Sequence, residues 1–170
     1  IEGFWKLKII TFPQDIFKLD YKKIEKLDGW GVLSVENLKY SINQKKNISL
    51  ERFIFALGIR HIGLENAKLL SKYFKSFSEF KNLSKTKNYD DLLNIDGIGE
   101  TQINSIKSFF THEINLTVLD QLGNILEIKN HTVKNKNGSL KNKSFLVTGK
   151  LNGISRAEVK SLIEENSGII

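Results

Sequence analysis

Three short stretches of the sequence each contain a pair of positions that is occupied by glycine, or in one case by histidine and glycine. Their residue types and spacing favour a binding site. They follow the pattern apolar–x–Gly–apolar–Gly, and the paired positions are Gly29 and Gly31, His61 and Gly63, and Gly97 and Gly99. Glycine lets the backbone turn sharply and lets a ligand approach it closely. An apolar stripe with helical spacing follows each pair, and a helix N-terminus carries free N–H groups and partial positive charge. The pattern therefore predicts anion sites, and the anion we expect is phosphate.

Two neighbouring residues extend these candidate sites. Arg60 adds a positive charge beside the second pair, and Thr101 lies in the first helical turn after the third pair. The candidate phosphate-binding residues are Gly29, Gly31, Arg60, His61, Gly63, Gly97, Gly99 and Thr101. We interpret His61 as a substitute for glycine in the turn, because the histidines lack the spacing of a metal site. We predict no catalytic, cofactor-binding or metal-binding residue in this chain.

The elements that must position these residues are pairs of helices joined by the glycine turns. After the third pair, Ile103, Ile106 and Phe110 recur at i, i+3 and i+7, and similar stripes follow the other two pairs. A degenerate fourth copy has Ser76 and Ser78 at the glycine positions, and we interpret it as structural. Because the spacing of the copies is irregular, we predict four helix–hairpin–helix units in two pairs rather than a solenoid.

Local signals predict several boundaries around these hairpins. Ser76 and Glu79 form a capping-box pattern, which predicts the start of a helix. The polar residues 82–88 predict an exposed loop. Residues 117–122 predict a closing helix with Gly123 past its C-terminal end. Trp30, between the glycines of the first pair, is expected either to pack on its own hairpin or to contact a sugar.

The pattern changes in the last part of the chain. Residues 144–148 predict a buried strand, Ser155 and Glu158 a capping box and helix, and Ile169 a second strand. This strand–helix–strand order is the start of a parallel α/β module, which stops too early to bury its own sheet. We therefore predict a mostly α protein divided into a helical lead-in at 1–20, a hairpin domain at 21–128, a linker at 129–143 and the α/β start at 144–170. We expect the chain to be a piece of a longer one.

Composition restricts the function classes. The chain has 26 Lys and Arg against 19 Asp and Glu, a net charge of +7. That excess favours a polyanionic partner, although only three of these residues are Arg, and a genome bias towards Lys explains the charge equally well. The absence of Cys excludes disulfides and thiolate metal sites. No apolar run has membrane-spanning length, so we expect no membrane partner and a cytoplasmic location.

Several stretches of the sequence resemble a known family. Residues 51–63 are similar to the hairpin domain of bacterial NAD-dependent DNA ligases, and 27–38 and 92–99 match the same domain in order. Residues 143–168 resemble the start of the BRCT module that ends those enzymes. Ser167 departs from that module, which usually has a glycine there. We expect little consequence, because the following Gly168 can supply the left-handed turn.

The resemblance implies the DNA-binding portion of a ligase that seals nicks in duplex DNA during replication and repair. The hairpins would hold phosphates without sequence specificity, in a monomer associated with the nucleoid. The parent enzyme would use NAD and Mg²⁺, with Zn²⁺ in an upstream domain, and this chain alone should be inactive. Residues 26–29 spell the Lys-x-Asp-Gly pattern of the adenylylated lysine in ligases. We interpret the match at Lys26 as a coincidence, because no motif of a nucleotide pocket follows it.

Two alternatives from other classes stay open. Hairpin pairs also serve as scaffolds for protein interaction, and a BRCT-like part can bind a protein partner. The chain could also be the hairpin region of another DNA repair protein. Three retained glycine turns favour phosphate binding over a scaffold, since a scaffold tolerates other turn residues. The order of hairpins followed by a BRCT-like start favours the ligase.

Overall fold

The computed structural model describes residues 2–131, 138–149, 154 and 156–170, and for 157, 158 and 161 only the backbone. The chain separates into two compact units, Ile1–His131 and Thr132–Ile170. Parts of the predicted linker and the predicted cap at Ser155 lie outside the described residues.

The first unit is built from helices, as the sequence predicted. Its α-helices are α1 (Glu2–Lys6), α2 (Tyr21–Ile24), α3 (Val32–Gln44), α4 (Leu50–Ala56), α5 (Leu64–Phe74), α6 (Phe77–Thr86), α7 (Glu100–Thr111) and α8 (Glu113–Ile125). Two 3-10 helices, Pro13–Lys18 and Asp90–Asn94, complete the helical set of this unit as described. Each glycine turn joins two of these helical segments.

A small parallel sheet, which the sequence analysis missed, closes the first unit. Strand β1 (Asn47–Ser49) pairs with β2 (Glu127–Lys129), with Ile48 opposite Ile128. Next to that pair, the side-chain amide of Asn47 donates to the Glu127 carboxylate at 3.0 Å. Strands of three residues are too short for an alternating pattern to be visible in the sequence. The sheet connects the segment before α4 to the end of α8.

Two hydrophobic clusters support the helices of the first unit. The larger one is centred on fully buried residues of α4, α6, α7 and α8, among them Phe53, Phe80, Ile106 and Leu119. The smaller one contains residues of the lead-in, α2 and α3: Phe4, Ile10, Leu19, Ile24, Val35 and Ile42. Phe17, in the first 3-10 helix, packs against both clusters. The first glycine turn therefore has a separate core from the other two.

Two boundary predictions were wrong, and packing explains both. The predicted loop at 82–88 is helical as far as Thr86, because α6 continues until it has buried Leu83 in the larger core. The predicted closing helix at 117–122 is longer at both ends, because α8 covers Glu113–Ile125 and Gly123 lies inside it. A Cβ at position 123 would overlap the ring of Phe77, so this glycine permits close packing of α6 and α8.

The second unit contains the predicted strand–helix–strand order in a shorter form. Helix α9 (Arg156–Glu165) follows Ser144, which forms a single parallel bridge with Ile169 rather than the predicted strand over 144–148. The Arg156 guanidinium donates twice to the Gly149 carbonyl, at 3.2 and 2.8 Å. These contacts connect the first residue of α9 to Gly149, the residue after the predicted strand.

The turn after α9 differs from the expectation at Ser167. Ser167 itself has φ 66°, so it, and not Gly168, adopts the left-handed conformation. The Ser167 hydroxyl accepts a hydrogen bond from the Gly138 amide at 3.1 Å. A Cβ at Gly168 would come within 2.6 Å of the Ile163 side chain, so packing explains this glycine. A serine with a positive φ is uncommon, so residue 167 holds a strained conformation at this turn.

Candidate nucleic-acid interface

The three glycine turns have the same backbone structure. In each, the amide before the second glycine donates to the carbonyl three residues earlier at 3.0 Å, in the pairs Trp30 to Leu27, Ile62 to Ile59, and Ile98 to Ile95. The first position of each pair has a positive φ: 77° at Gly29, 61° at His61 and 91° at Gly97. The second glycine is in each case the N-cap of the following helix. We call these the first, second and third hairpins.

Backbone conformation explains the first position of each hairpin. A positive φ favours glycine, although His61 shows that a side chain can occupy this position. At Gly97 a Cβ would also come within 3.0 Å of the Leu69 side chain of α5. The conformation of the turn itself therefore explains why glycine is favoured at the first position.

The second position has no such requirement within the described part of the chain. Gly31, Gly63 and Gly99 have φ of −128°, −79° and −111°, which other residues adopt readily. A Cβ would have open space at Gly31 and Gly63, and only an ordinary contact of 3.4 Å at Gly99. An N-cap usually favours Ser, Thr, Asp or Asn. What glycine provides at these positions is close access to the backbone from outside the protein.

The candidate residues lie where an outside group can reach them. All eight are exposed: Gly29, Gly31, Arg60, His61, Gly63, Gly97, Gly99 and Thr101. The first amides of α3, α5 and α7 have no acceptor within their own helix, as at any helix start. In the third hairpin, the Gln102 side chain accepts a hydrogen bond from the Gly99 amide at 3.2 Å. Each hairpin thus presents N–H donors in a positive end of a helix dipole.

The degenerate copy between α5 and α6 has a different turn. Its left-handed residue is Lys75, with φ 62°, and the N-cap Ser76 follows it directly. The predicted alignment of Ser76 with the first glycine is therefore wrong, since Ser76 occupies the N-cap position. The Ser76 hydroxyl accepts a hydrogen bond from the Glu79 amide at 3.2 Å. This turn satisfies its helix end internally, which supports the structural interpretation.

A histidine side chain joins the second and third hairpins. His61 Nδ1 lies 3.0 Å from the Ser105 hydroxyl of α7, and that hydroxyl also donates to the Thr101 carbonyl at 2.9 Å. Both contacts can be hydrogen bonds at once only if His61 Nδ1 carries the proton, because the hydroxyl has a single one. The structure therefore brings together Arg60, His61 and Thr101, which sequence reasoning could not place relative to one another.

The first hairpin packs against the smaller hydrophobic cluster. The Trp30 ring, half-buried, packs against Phe4 of α1 with ring centroids 5.1 Å apart. Trp30 therefore contacts the lead-in, a partner that the sequence analysis did not consider, and packs against the smaller cluster, to which α2 and α3 of its own hairpin contribute. On α3, Lys39 lies over the Tyr21 ring at 5.8 Å.

Comparisons with known proteins agree with the hairpin geometry. The family model described as the helix-hairpin-helix motif matches residues 52–119, from α4 into α8. The DNA ligase of Pelagibacter ubique (strain HTCC1062) is 63% identical over all 170 residues. The chain matches a segment of bacterial DNA ligases. The ligase of Neorickettsia sennetsu is 41% identical over 100% of the chain, and that of Rickettsia africae 43% over 92%.

The chain spans about a quarter of the length of the curated ligases it matches, 25%, 26% and 24% for these three. The match to ligases includes the first hairpin, whereas the helix-hairpin-helix model begins after it. Its assignment as a hairpin therefore rests on the turn geometry that it shares with the other two.

The Lys-x-Asp-Gly pattern lies in an exposed turn, and the described residues were also compared with the geometry of metal sites and membrane-spanning helices. Lys26, of the Lys-x-Asp-Gly pattern, is exposed in the turn between α2 and the first hairpin. Within the described ranges, no group of three or more His, Asp or Glu side chains has the arrangement of a metal site. In the same ranges, none of the helices is long and apolar enough to cross a membrane.

Proposed function

We propose that this chain is the DNA-binding part of a bacterial NAD-dependent DNA ligase. The amides of the three hairpins bind backbone phosphates of a nicked duplex, on both strands across the minor groove. Such contacts position the protein and carry no base information, which suits an enzyme that must accept any sequence. The observation that carries this proposal is the glycine N-cap, which occurs in all three hairpins without a structural need.

Within the parent enzyme, this chain contributes binding and orientation rather than bond formation. The parent seals nicks in replication and repair, in the cytoplasm and at the nucleoid. NAD supplies its adenylyl group, and the residues that hold NAD, Mg²⁺ and Zn²⁺ belong to other parts of the ligase. The chain alone is inactive in sealing and binds DNA as a monomer.

The scaffold alternative explains the glycine turns less well. A scaffold needs the left-handed first position, but it would gain stability from a serine or aspartate at the N-cap, as the α5–α6 turn does with Ser76. The hairpin region of another repair protein is also less favoured, because ligases match the chain over its whole length. The second unit can still contribute a protein contact.

A salt-dependent titration tests the proposal. The chain is titrated with nicked duplexes of two unrelated sequences at several salt concentrations. We expect equal affinities for both sequences and a linear fall of the logarithm of the binding constant with the logarithm of salt. Gly63→Ala should weaken binding about tenfold, because a methyl group blocks the approach of a phosphate that accepts charge-assisted hydrogen bonds.

The matched control is Gly3→Ala in α1. Gly3 is also exposed, and a Cβ there also has open space, but it lies outside the hairpins. Its affinity should equal that of the unchanged chain. An equal loss for both variants, or no binding at low salt, would contradict phosphate binding by the hairpins and favour the scaffold.

A further inference from the structure

A concave surface lies beside the second hairpin and extends along α7 beyond the first turn of that helix. It is a groove of about 600 Å³ between the turn at residues 58–61 and one face of α7. The second hairpin contributes Arg60 and His61 to one wall, and the other wall is a stripe along α7 that begins at Thr101 and ends at His112, just after the helix. We call it the α7 groove.

The lining of the α7 groove has the chemistry of an anion site. It is lined by Asn104 and Ser108 of α7, by His112 directly after that helix, and by Arg60 of the second hairpin, and all four residues are exposed. Among the described residues that line the groove, none is Asp or Glu. Hydrogen-bond donors without a competing carboxylate suit a phosphate and not a cation. Arginine is also well suited to phosphate, because its planar fork offers several donors.

The groove is continuous with the proposed phosphate sites. Arg60 and His61 belong both to the second hairpin and to the groove wall, and Thr101 belongs both to the third hairpin's helix and to the groove. The contact of His61 Nδ1 with the Ser105 hydroxyl, at 3.0 Å, links the two walls. A DNA strand that is bound at the second hairpin therefore has the groove directly beside it.

We propose that the α7 groove binds an additional backbone phosphate of the duplex, through Asn104, Ser108 and His112 opposite Arg60. This inference rests on the proposed function, since it extends the contact of the same DNA strand. The occupant is a phosphate of the DNA backbone, because a strand at the second hairpin supplies one next to the groove. Ser105 is a positioning residue, because it acts through His61.

A pair of charge substitutions on α7 tests the groove. Ser108→Glu places a carboxylate in the groove, and Thr111→Glu places the same charge on an exposed site of the same helix outside it. Both change the net charge equally, so the general electrostatic loss is the same. We expect Ser108→Glu to weaken binding of the full chain to a nicked duplex about tenfold more than Thr111→Glu does. Equal losses would overturn the groove proposal.

A second arm removes a donor without changing charge. Asn104→Ala should weaken binding about threefold to fivefold. Duplexes in which single phosphates are replaced by neutral methylphosphonates identify the contact. One replacement should weaken the unchanged chain and have no further effect on Asn104→Ala. If every replacement weakens both proteins equally, Asn104 contacts no phosphate and the proposal is wrong.

The arms separate this inference from the proposed function. If Gly63→Ala weakens binding but Ser108→Glu and Thr111→Glu are equivalent, the hairpins bind DNA and only the groove proposal fails. If the unchanged chain binds no DNA, both fail. Inorganic phosphate, added at constant ionic strength, serves as a competitor. Because free phosphate and a DNA phosphate would share the groove, it should displace DNA more readily from the unchanged chain than from Asn104→Ala, and equal displacement would contradict a phosphate site in the groove.

Discussion

Two kinds of helix–turn–helix connection occur in the same unit, and they differ in how the second helix begins. In the three hairpins the N-cap is glycine, and the backbone there is open to the outside. Between α5 and α6 the N-cap is Ser76, whose hydroxyl accepts a hydrogen bond from the helix itself. Both connections include a left-handed residue and both join packed helices. The difference is whether the helix end is satisfied internally or left for a partner.

Gly123, at the contact between α6 and α8, provides the other half of this comparison. Gly123 is required because α8 packs against the Phe77 ring, so its role is complete within the protein. Gly31 and Gly63 have open space beside them and an extended backbone. A glycine that packing requires and a glycine that packing does not require therefore call for different explanations. Substitution separates the two, because the first should change stability and the second should change binding.

The largest expected effect is on DNA affinity. Replacing all three N-cap glycines together, in the variant Gly31→Ala/Gly63→Ala/Gly99→Ala, should lower affinity about 100-fold, or about 2.7 kcal/mol. The loss is below the sum of three full charge-assisted hydrogen bonds, because the phosphates can shift. The thermal midpoint should stay within a few degrees. A large drop in stability without a specific loss of affinity would make these glycines structural and remove the comparison.

Gly123→Ala should show the reverse behaviour. The added methyl group meets the Phe77 ring, and overpacking of a core contact costs about 1 to 3 kcal/mol. We expect a lower midpoint in chemical denaturation and an unchanged affinity for DNA when the folded fraction is taken into account. An affinity loss in the folded protein would show that the α6–α8 contact influences the hairpins.

Sequence reasoning found the hairpins because their signal is local. The spacing of Gly29 and Gly31 predicts a turn followed by a helix, and no distant residue is needed to form it. The same local signal gave the helical fold class. By contrast, the extension of α6 to Thr86 and the position of Gly123 inside α8 depend on contacts with Leu83 and Phe77, and the sequence alone did not contain those partners.

The sequence named individual candidate residues but could not give their arrangement. All eight are exposed, as a binding site requires, and their role in phosphate binding stays a prediction. The α7 groove was missed, because Ser108 and His112 belong to no motif and become neighbours of Arg60 only through the packing of α7. Ser105 was missed for the same reason. A polar stripe along α7 was the available signal, and by itself it indicates only a solvated helix face.

Ser76→Ala tests the α5–α6 turn, in which a side chain of the protein satisfies the helix end. Loss of an N-cap hydroxyl should cost about 1 kcal/mol of unfolding free energy. DNA affinity should not change, because the Ser76 turn is not proposed to contact phosphate. Ser76→Asp serves as the control, since aspartate is an equally good N-cap and should restore stability. If Ser76→Ala weakens DNA binding at constant stability, the fourth turn is a binding hairpin after all.

The smallest effect concerns Gln102, which makes the third hairpin intermediate between the two kinds. Its side-chain oxygen accepts the Gly99 N–H at 3.2 Å and so occupies one donor that a phosphate would use. In the second hairpin the equivalent residue, Asn66, instead donates to the His61 carbonyl at 3.0 Å. Gln102→Ala should therefore raise DNA affinity about twofold, or about 0.4 kcal/mol, while the helix loses a few tenths of a kcal/mol of stability.

Asn66→Ala is the matched variant for this experiment, because Asn66 occupies no hairpin donor and its removal should not raise affinity. Both variants are titrated with the same nicked duplex at low salt, where small differences are measurable. A rise for Gln102→Ala alone would show that a phosphate competes with the side chain for the Gly99 amide. A fall would mean that Gln102 turns to the DNA and contributes a contact of its own. In that case the third hairpin uses side-chain as well as backbone donors, and the distinction between open and internally satisfied helix ends would apply only to the first two hairpins.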